Sequence, residues 1–430
     1  MPPENPAAPT FRTVTLGCKV NQYETQYVRE GLALAGYREA GERETADLCV
    51  VNTCTVTSEG DAKSRQTIRQ LAARNPQTRI VVMGCYATRS PDEVAALPRV
   101  VEVVRDKREL PDLLGRFGVV DVPTGISRFD CRKRAYVKVQ DGCLLRCSFC
   151  IIPHVRPALA SRPPEHIVAE VERLVANGYR EIILTGIHLG HYGVDFNAGR
   201  PKREWLRLSH LIERLIRVSG EFRLRLSSIE ATEVTRELIE VLAANPTRVC
   251  PHLHVSLQSG SDRILRGMRR RWCSRRFRDR CQLVKERLDQ PAFSTDVIVG
   301  FPGESEADFE ATCRVVDEVG FMKLHVFPYS TRRGTAAADF PGQIPKHVKQ
   351  ERARRLAEME TRLLERYASS LIGRKLQVMV ESPVGDRPGQ AYGTSCRYVA
   401  VVVPAAAEHF GKFREAVPRR FLAGRLEATL

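Results

Sequence analysis

Three cysteines stand close together in DGCLLRCSFC, at Cys143, Cys147 and Cys150, a CxxxCxxC spacing directly after a β-rich run. Three thiolates so spaced can hold three irons of a 4Fe-4S cluster and leave the fourth iron open to a small ligand. A structural zinc ion is the alternative, and it asks for a fourth ligand such as the nearby His154. Pro153 and the strand-end setting favour the cluster. Three more cysteines, Cys18, Cys54 and Cys85, each fall where a β-rich run gives way to a loop. Any one of them reads equally well as an ordinary buried cysteine, but the same position in three successive units argues for convergence. Cys49 lies inside a run among apolar neighbours and reads as core.

The elements that must position these thiols are legible from periodicity. From residue 13 to about 104, β-rich runs (TVTLGC, ADLCVVNTC, RIVVMGC) alternate with helical stretches over 21–35 and about 58–73, which predicts a βαβαβ unit and a parallel sheet. Carboxyl ends of parallel strands lie along one sheet edge, where α/β folds place their sites. Pro and Gly punctuation over 106–134 reads as a connector. Six further β-rich runs follow, AYVKVQDGC, EIILTGIH, RLRLSSIE, HLHVSLQS, STDVIVGF and KLHVFPYS, with helical intervals between them. They predict an incomplete (β/α) barrel of six units. A charged helix over 346–371 precedes short β-rich segments separated by Gly and Pro, which predict a small all-β barrel. The expected class is α/β, divided into 1–130, 131–370 and 371–430.

Composition narrows the partners. The chain has 430 residues, 43% hydrophobic and 27% charged, with 67 basic against 51 acidic residues and a net charge of +16. Such an excess favours a polyanion such as nucleic acid. No apolar run approaches membrane-spanning length and MPPENPAAPTFR lacks the form of a signal peptide; the expectation is a cytoplasmic protein without membrane contact. Thirteen cysteines in such a chain fit metal or sulfur chemistry better than disulfides.

These motifs together resemble the radical S-adenosylmethionine methylthiotransferase family. TLGCKVNQYET, VVNTCTVT and VMGCYA are similar to its amino-terminal domain. CIIPHVR, EIILTGIHLG, LSSIE, HLHVSLQSGSD, TDVIVGFPGE and HVFPYSTRRGT are similar to its radical domain, and the tail more weakly to its RNA-binding TRAM barrel. The resemblance implies two 4Fe-4S clusters, an auxiliary one on Cys18, Cys54 and Cys85 and a radical one on Cys143, Cys147 and Cys150. It also implies S-adenosylmethionine, which the radical cluster cleaves to a 5′-deoxyadenosyl radical and which supplies the methyl group, and an electron donor that the sequence does not name. Among the three subfamilies, CKVNQYET resembles the threonylcarbamoyladenosine tRNA enzymes rather than the isopentenyladenosine enzymes, where CQMN is usual, or those acting on a ribosomal protein, where CPKN is usual. The implied partner is a tRNA anticodon stem-loop. A non-catalytic RNA-binding iron-sulfur protein is the alternative from another class, and an open iron would be of no use to it.

At the barrel's strand ends, Gly186, Glu230, Gln258, Asp296, Gly300 and Glu304 are placed to line the mouth and contact S-adenosylmethionine, or merely to cap loops. RILRGMRRRWCSRRFRDR packs nine arginines into 18 residues with Trp272 and Phe277 interleaved. Arg270, Arg271, Trp272, Arg275 and Arg276 are the candidate RNA contacts by charge and stacking; a solvated helix face is the bland alternative. Departures from the family pattern lie in VRPALASR, which keeps Arg156 and Arg162 but loses other arginines and a glycine, in Arg105-Asp106-Lys107, where Gly-Asn-Lys is usual, and in Trp272-Cys273, where Tyr-Thr is usual.

Overall fold

The run LCVVNT is buried at all six positions, as a strand covered by helices on both faces must be. In the structure, a computed structural model that describes residues 8–129 and 133–430, it is the third of five parallel strands. These are β1 (Thr10–Thr15), β2 (Arg38–Glu39), β3 (Leu48–Thr53), β4 (Arg79–Gly84) and β5 (Val100–Val103), in the order β2-β1-β3-β4-β5. The short edge strands β2 and β5 add to the three expected runs. Register pairs Thr15 with Asn52 and Thr53 with Gly84, so the three central strands end level. One core face holds Phe11, Val28, Val50 and Leu113; the other holds Cys49, Val51, Ile68 and Val82.

The boundary expected at 130/131 lies outside the described residues, as do residues 1–7. Beyond it run β6 (Arg134–Asp141), β7 (Ala160–Ser161), β8 (Glu181–Gly186), β9 (Arg223–Leu226), β10 (Ser228–Ile229), β11 (His252–Val255), β12 (Ala292–Val299) and β13 (Lys323–Pro328). They form two sheets, β7-β6-β8-β9 and β10-β11-β12-β13, joined across a Leu224–Val249 bridge. The six predicted runs therefore stand side by side in sequence order, and the third run breaks at Ser227 into β9 and β10. All pairs are parallel except β6 with β7, a two-residue strand on the β6 edge that the sequence reading lacks. Flanking helices such as Pro164–Ala176 bury an apolar stripe, Ile167, Val171 and Leu174, against the sheet.

A helix, Lys346–Ser369, crosses to the carboxyl-terminal barrel, closed in the order β14-β15-β16-β18-β17 from β14 (Leu376–Pro383), β15 (Gln390–Ser395), β16 (Ala400–Pro404), β17 (Phe413–Leu422) and β18 (Arg425–Thr429). It plugs the amino end of the central barrel, opposite the cysteines. Glu181 and Arg223, which begin β8 and β9, and Arg225 form a buried ion cluster. Arg223 donates to the carbonyls of Gln377 and Thr394 at 2.9 and 3.0 Å, and Arg225 to those of Ser395 and Cys396 at 3.1 and 3.2 Å. Burial pushes the Glu181 carboxyl up, and Arg225, Arg223 and Arg134 outweigh it and hold it well below the usual carboxylate range.

Breaking this cluster leaves buried arginines without a counter-charge. Glu181→Ala is expected to destabilise the chain by about 3–5 kcal/mol and to free the carboxyl-terminal barrel, read as a lower urea midpoint and faster proteolysis near residue 373; an unchanged midpoint would refute the account.

Candidate active site

Each cysteine of the amino-terminal trio follows its strand within three residues. Cys18 caps the helix Lys19–Leu34, Cys54 follows β3 directly, and Cys85 opens a short helix after β4. Gly84 holds φ at +96°, and a Cβ there would lie 2.3 Å from Asn52 Oδ1 and 2.4 Å from the Thr53 carbonyl, so no other residue fits at this turn. The three thiols act electrostatically on one another, and burial pushes those of Cys18 and Cys54 up.

The second trio sits on the loop after β6. Gly142, with φ +76°, would place a Cβ 1.9 Å from the Ala158 carbonyl, and so the chain turns there only with glycine. Gln140 holds this turn, donating to the carbonyls of Asp141 and Gly142 at 2.6 and 2.7 Å and accepting from His188 N–H at 2.8 Å. Ser148 N–H donates to the Met268 carbonyl at 3.1 Å, which ties the loop to the arginine-rich segment. Burial pushes the Cys150 thiol up to about 12 and raises that of Cys143. Cysteine binds a metal as the thiolate, so loading of this trio with iron releases protons.

The spread of the sulfurs tests the donor sets. Around a tetrahedral zinc, sulfurs at about 2.3 Å from the metal stand about 3.8 Å apart. In neither trio do the three sulfurs all fall within 4.8 Å of one another, and His154 is exposed and joins no such group. As placed, neither trio closes around a single ion. Each is also faced by a guanidinium, with Arg156 Nε 3.5 Å from Cys85 Sγ and Arg270 Nη1 3.2 Å from Cys147 Sγ. Such donors suit sulfur ligands of an iron-sulfur cluster, whose electron density they stabilise.

Arg156 also joins the two trios. Its side chain is 1% exposed and meets Glu24 at 2.7 and 2.8 Å, Asp141 at 2.8 Å and Asn21 at 3.2 Å. Lys138 pairs with the same two carboxylates at 2.7 and 2.6 Å. Burial pushes the Glu24 carboxyl up, and Arg156 and Lys138 more than offset it, so it stays below its ordinary value. On the far side, Arg332 after β13 reaches Thr55 at 2.7 Å and Asp61 at 2.9 Å.

The strand-end residues divide by what already holds them. Gln258 takes φ +63° and its side chain has no partner among the described residues, so it is free to address a ligand. Asp296 pairs with His254 at 3.1 Å. Gly186 approaches Gln140 so closely that a Cβ would lie 3.0 Å from its Oε1. Glu230 is taken by Arg270 and by the indole N–H of Trp272, the latter at 3.1 Å. Glu304 accepts from Gly300 N–H at 2.6 Å and Arg352 at 2.7 Å, which commits its carboxylate to the turn and to the helix Lys346–Ser369.

The arginine segment is corrected in part. Trp272 is 6% exposed and packs against Phe277, itself fully buried, at 5.1 Å between rings. A ring so enclosed has no free face for a base, and the Arg270 side chain is 4% exposed against Glu230. Arg271, Arg275 and Arg276 are exposed and remain available to phosphates.

Two groups escaped the sequence reading. His188 Nδ1 lies 3.6 Å from Cys143 Sγ, its ring stacks on His191 at 3.6 Å, and Glu233 stands 3.3 Å from its Nε2. Burial and the neighbouring His188 hold the His191 imidazole down to about 4. Lys107, part of a flagged departure, is buried and donates to the Val155 carbonyl at 3.1 Å, with Thr88 as its second partner. The signal for the histidines was their place just beyond a strand end; for Lys107 it was the lysine shared with the usual Gly-Asn-Lys.

Residues 10–106 match the model of the uncharacterized protein family UPF0004, and residues 137–316 that of the radical SAM superfamily. The chain is 40% identical to the threonylcarbamoyladenosine tRNA methylthiotransferase MtaB of Bacillus subtilis, over 93% of this chain and 91% of that one. The chain belongs to the radical S-adenosylmethionine methylthiotransferase family. The Thermotoga maritima relative of the same name is 38% identical over 86% of both chains. A tRNA-2-methylthio-N(6)-dimethylallyladenosine synthase of Corynebacterium diphtheriae is 35% identical over 88% of this chain and 77% of that one. Among solved structures, the radical S-adenosylmethionine methyltransferase TsrM of Kitasatospora setae shares the fold, with a TM-score of 0.55 at 14% identity over 77% of this chain and 75% of that one. Membership brings S-adenosylmethionine and two 4Fe-4S clusters as the cofactors of this methylthiotransferase. No helix among the described residues is long and apolar enough to cross a membrane.

Because Arg156 pairs with both Glu24 and Asp141, Arg156→Ala should leave these carboxylates with Lys138 as their one directly paired cation and cost about 3–5 kcal/mol. Arg156→Lys should recover part of this, since it restores charge without the forked donors. Equal urea midpoints for all three proteins would sink the assignment.

Proposed function

We propose that this chain installs a methylthio group on carbon 2 of N6-threonylcarbamoyladenosine, next to the anticodon of tRNA in the cytoplasm, drawing electrons from an external reductant. The observation that supports this reading most is the 40% identity to the Bacillus subtilis enzyme over nearly the whole of both chains, joined to two cysteine trios braced by one buried arginine. In this reading Cys143, Cys147 and Cys150 hold the cluster that cleaves S-adenosylmethionine, and Cys18, Cys54 and Cys85 hold the cluster that supplies sulfur. Gln258, with its unengaged side chain, and Asp296 are the strand-end groups assigned to S-adenosylmethionine. The division into 1–130, 131–370 and 371–430 then assigns one task to each part: sulfur, radical generation and RNA contact.

The protein's own work is positioning. Arg156 and Arg332 hold the two strand-end edges in one orientation, so that a base set between them is approached from both sides. Arg270 and Arg156 donate to sulfur, and the barrel floor sealed by Arg223 and Arg225 keeps water from entering at the amino end.

Liquid chromatography and mass spectrometry of tRNA nucleosides from cells lacking this protein should show unmodified threonylcarbamoyladenosine accumulating in place of its methylthio derivative. Loss of a methylthio isopentenyl-type adenosine instead would move the assignment to the other tRNA subfamily. In the purified protein, Cys18→Ala, Cys54→Ala or Cys85→Ala should lower bound iron by about four atoms per chain, one cluster's worth, and leave S-adenosylmethionine cleavage measurable. Cys143→Ala should abolish that cleavage.

RNA contact is tested through salt. If Arg271, Arg275 and Arg276 neutralise phosphates, replacing all three with Ala should flatten the salt dependence of stem-loop binding by roughly 0.7–0.9 in logarithmic slope for each phosphate no longer neutralised. A slope equal to that of the wild type, at normal iron content, would return these arginines to solvent and leave RNA contact to β14–β18.

A further inference from the structure

Just beyond β8, the side chains of Gln140, His191, Glu233 and Cys143 surround one imidazole. That ring belongs to His188, which is 5% exposed. Its backbone N–H donates to Gln140 Oε1 at 2.8 Å, its ring stacks on that of His191 at 3.6 Å between centroids, and Glu233 Oε2 stands 3.3 Å from its Nε2. Gly190 leaves room for this carboxylate, since a Cβ there would lie 2.5 Å from Glu233 Cβ and Cγ. Thr232 fixes Glu233 in turn, its hydroxyl donating to Oε1 at 2.8 Å. A ring restrained at its backbone, its face and its far nitrogen keeps little freedom to rotate. Its remaining nitrogen, Nδ1, lies 3.6 Å from Cys143 Sγ.

The direction of that contact follows from what the thiol does. A thiolate bound to iron has no hydrogen to give, so a ring nitrogen at hydrogen-bonding distance from it is the donor. His188 thus presents Nδ1–H to Cys143 Sγ and turns Nε2 to a carboxylate. The neighbouring thiol is served in the same way: Arg270 Nη1 lies 3.2 Å from Cys147 Sγ, and Arg270 is itself paired with Glu230. Glu230 and Glu233 belong to one short segment after β10. Two of the three sulfurs therefore receive a side-chain donor backed by a carboxylate, and among the described residues no side chain donates to Cys150. A metal ion shared by His188, His191 and Glu233 fits this geometry less well. Their ligand atoms lie within 4.8 Å of one another, but the two rings are stacked with 22° between their planes, so their lone pairs run side by side rather than toward one point.

Hydrogen bonds to the sulfurs of an iron-sulfur cluster raise its reduction potential, because they stabilise the state that carries one more electron. We propose that His188 is a positioning residue of this kind: held by Glu233, His191 and Gln140, it donates to Cys143 Sγ and eases the entry of one electron from the external low-potential reductant into the radical cluster. This role rests on the assignment of Cys143, Cys147 and Cys150 to that cluster in the function proposed above. It is independent of which modified adenosine is the substrate.

The test uses the iron-loaded full chain, with midpoint potentials read by redox titration followed by electron paramagnetic resonance. The signal that changes when S-adenosylmethionine is added identifies the radical cluster. His188→Phe keeps a flat ring and removes the donor; it should lower this midpoint by about 59 mV, about a tenfold loss in a one-electron equilibrium, while the midpoint of the other cluster stays in place. His188→Asn, whose amide can still donate from a similar point, should recover most of the shift. Pulsed measurements on wild type carrying isotope-labelled histidine should show a weak coupling between a histidine nitrogen and the reduced radical cluster, and His188→Asn should remove it. That signature needs no apolar variant to hold its iron. A His188→Phe protein with full iron and an unchanged midpoint, or wild type without the histidine coupling, would overturn the role of His188 and leave the cluster assignment standing. Absence of any signal that responds to S-adenosylmethionine would overturn the assignment itself, and this role with it.

Discussion

A guanidinium taken wholly out of water must find its charge and all its donors satisfied, and Arg156 does so only by drawing two parts of the fold together. It leaves the loop after the second cysteine trio, crosses into the amino-terminal sheet's helix at Asn21 and Glu24, and ends against Cys85. Desolvating two carboxylates, an arginine and a lysine is strongly unfavourable, and Coulombic attraction offsets it only at close, forked geometry. The contacts of 2.6–2.8 Å among Arg156, Lys138, Glu24 and Asp141 meet that condition. Such an arrangement tolerates little sliding. It thereby fixes how one cysteine trio faces the other, the relation on which any chemistry between them depends.

The same device recurs wherever two parts of this chain meet. Arg332 enters the amino-terminal unit at Asp61, Arg352 ties the helix Lys346–Ser369 to Glu304, and Arg223 with Arg225 receives the carboxyl-terminal barrel around Glu181. All five of these arginines, Arg156 and Arg352 included, are at most 5% exposed. Arginine suits the task because its planar fork serves carboxylates and carbonyls at once and remains charged when buried. With the arginines at these junctions each set against an acid, much of the net charge of +16 is left to exposed side chains such as Arg271, Arg275 and Arg276, where it can act at a distance on a polyanion.

The sequence by itself determined the six cysteines, their grouping into threes and the α/β plan that carries them. Those features are local: CxxxCxxC is a spacing, and a thiol at the end of each β-rich run needs only the period of the strands around it. The glycines before Cys85 and Cys143 belong to the same class, because a turn closed to any Cβ leaves its mark on a single position. What the tertiary structure alone decided is which charged or aromatic side chain points inward. Arg270 and Arg271 are neighbours in the same basic run, yet one is buried against Glu230 and Cys147 and the other is exposed. Trp272, suited by composition to a base, is taken into the core with Phe277, and Glu304, suited by position to a ligand, is held by Arg352. No periodicity separates these outcomes, since each depends on a partner 40 to 123 residues away in the chain. A burial that only distant partners make possible cannot be read until the chain has folded.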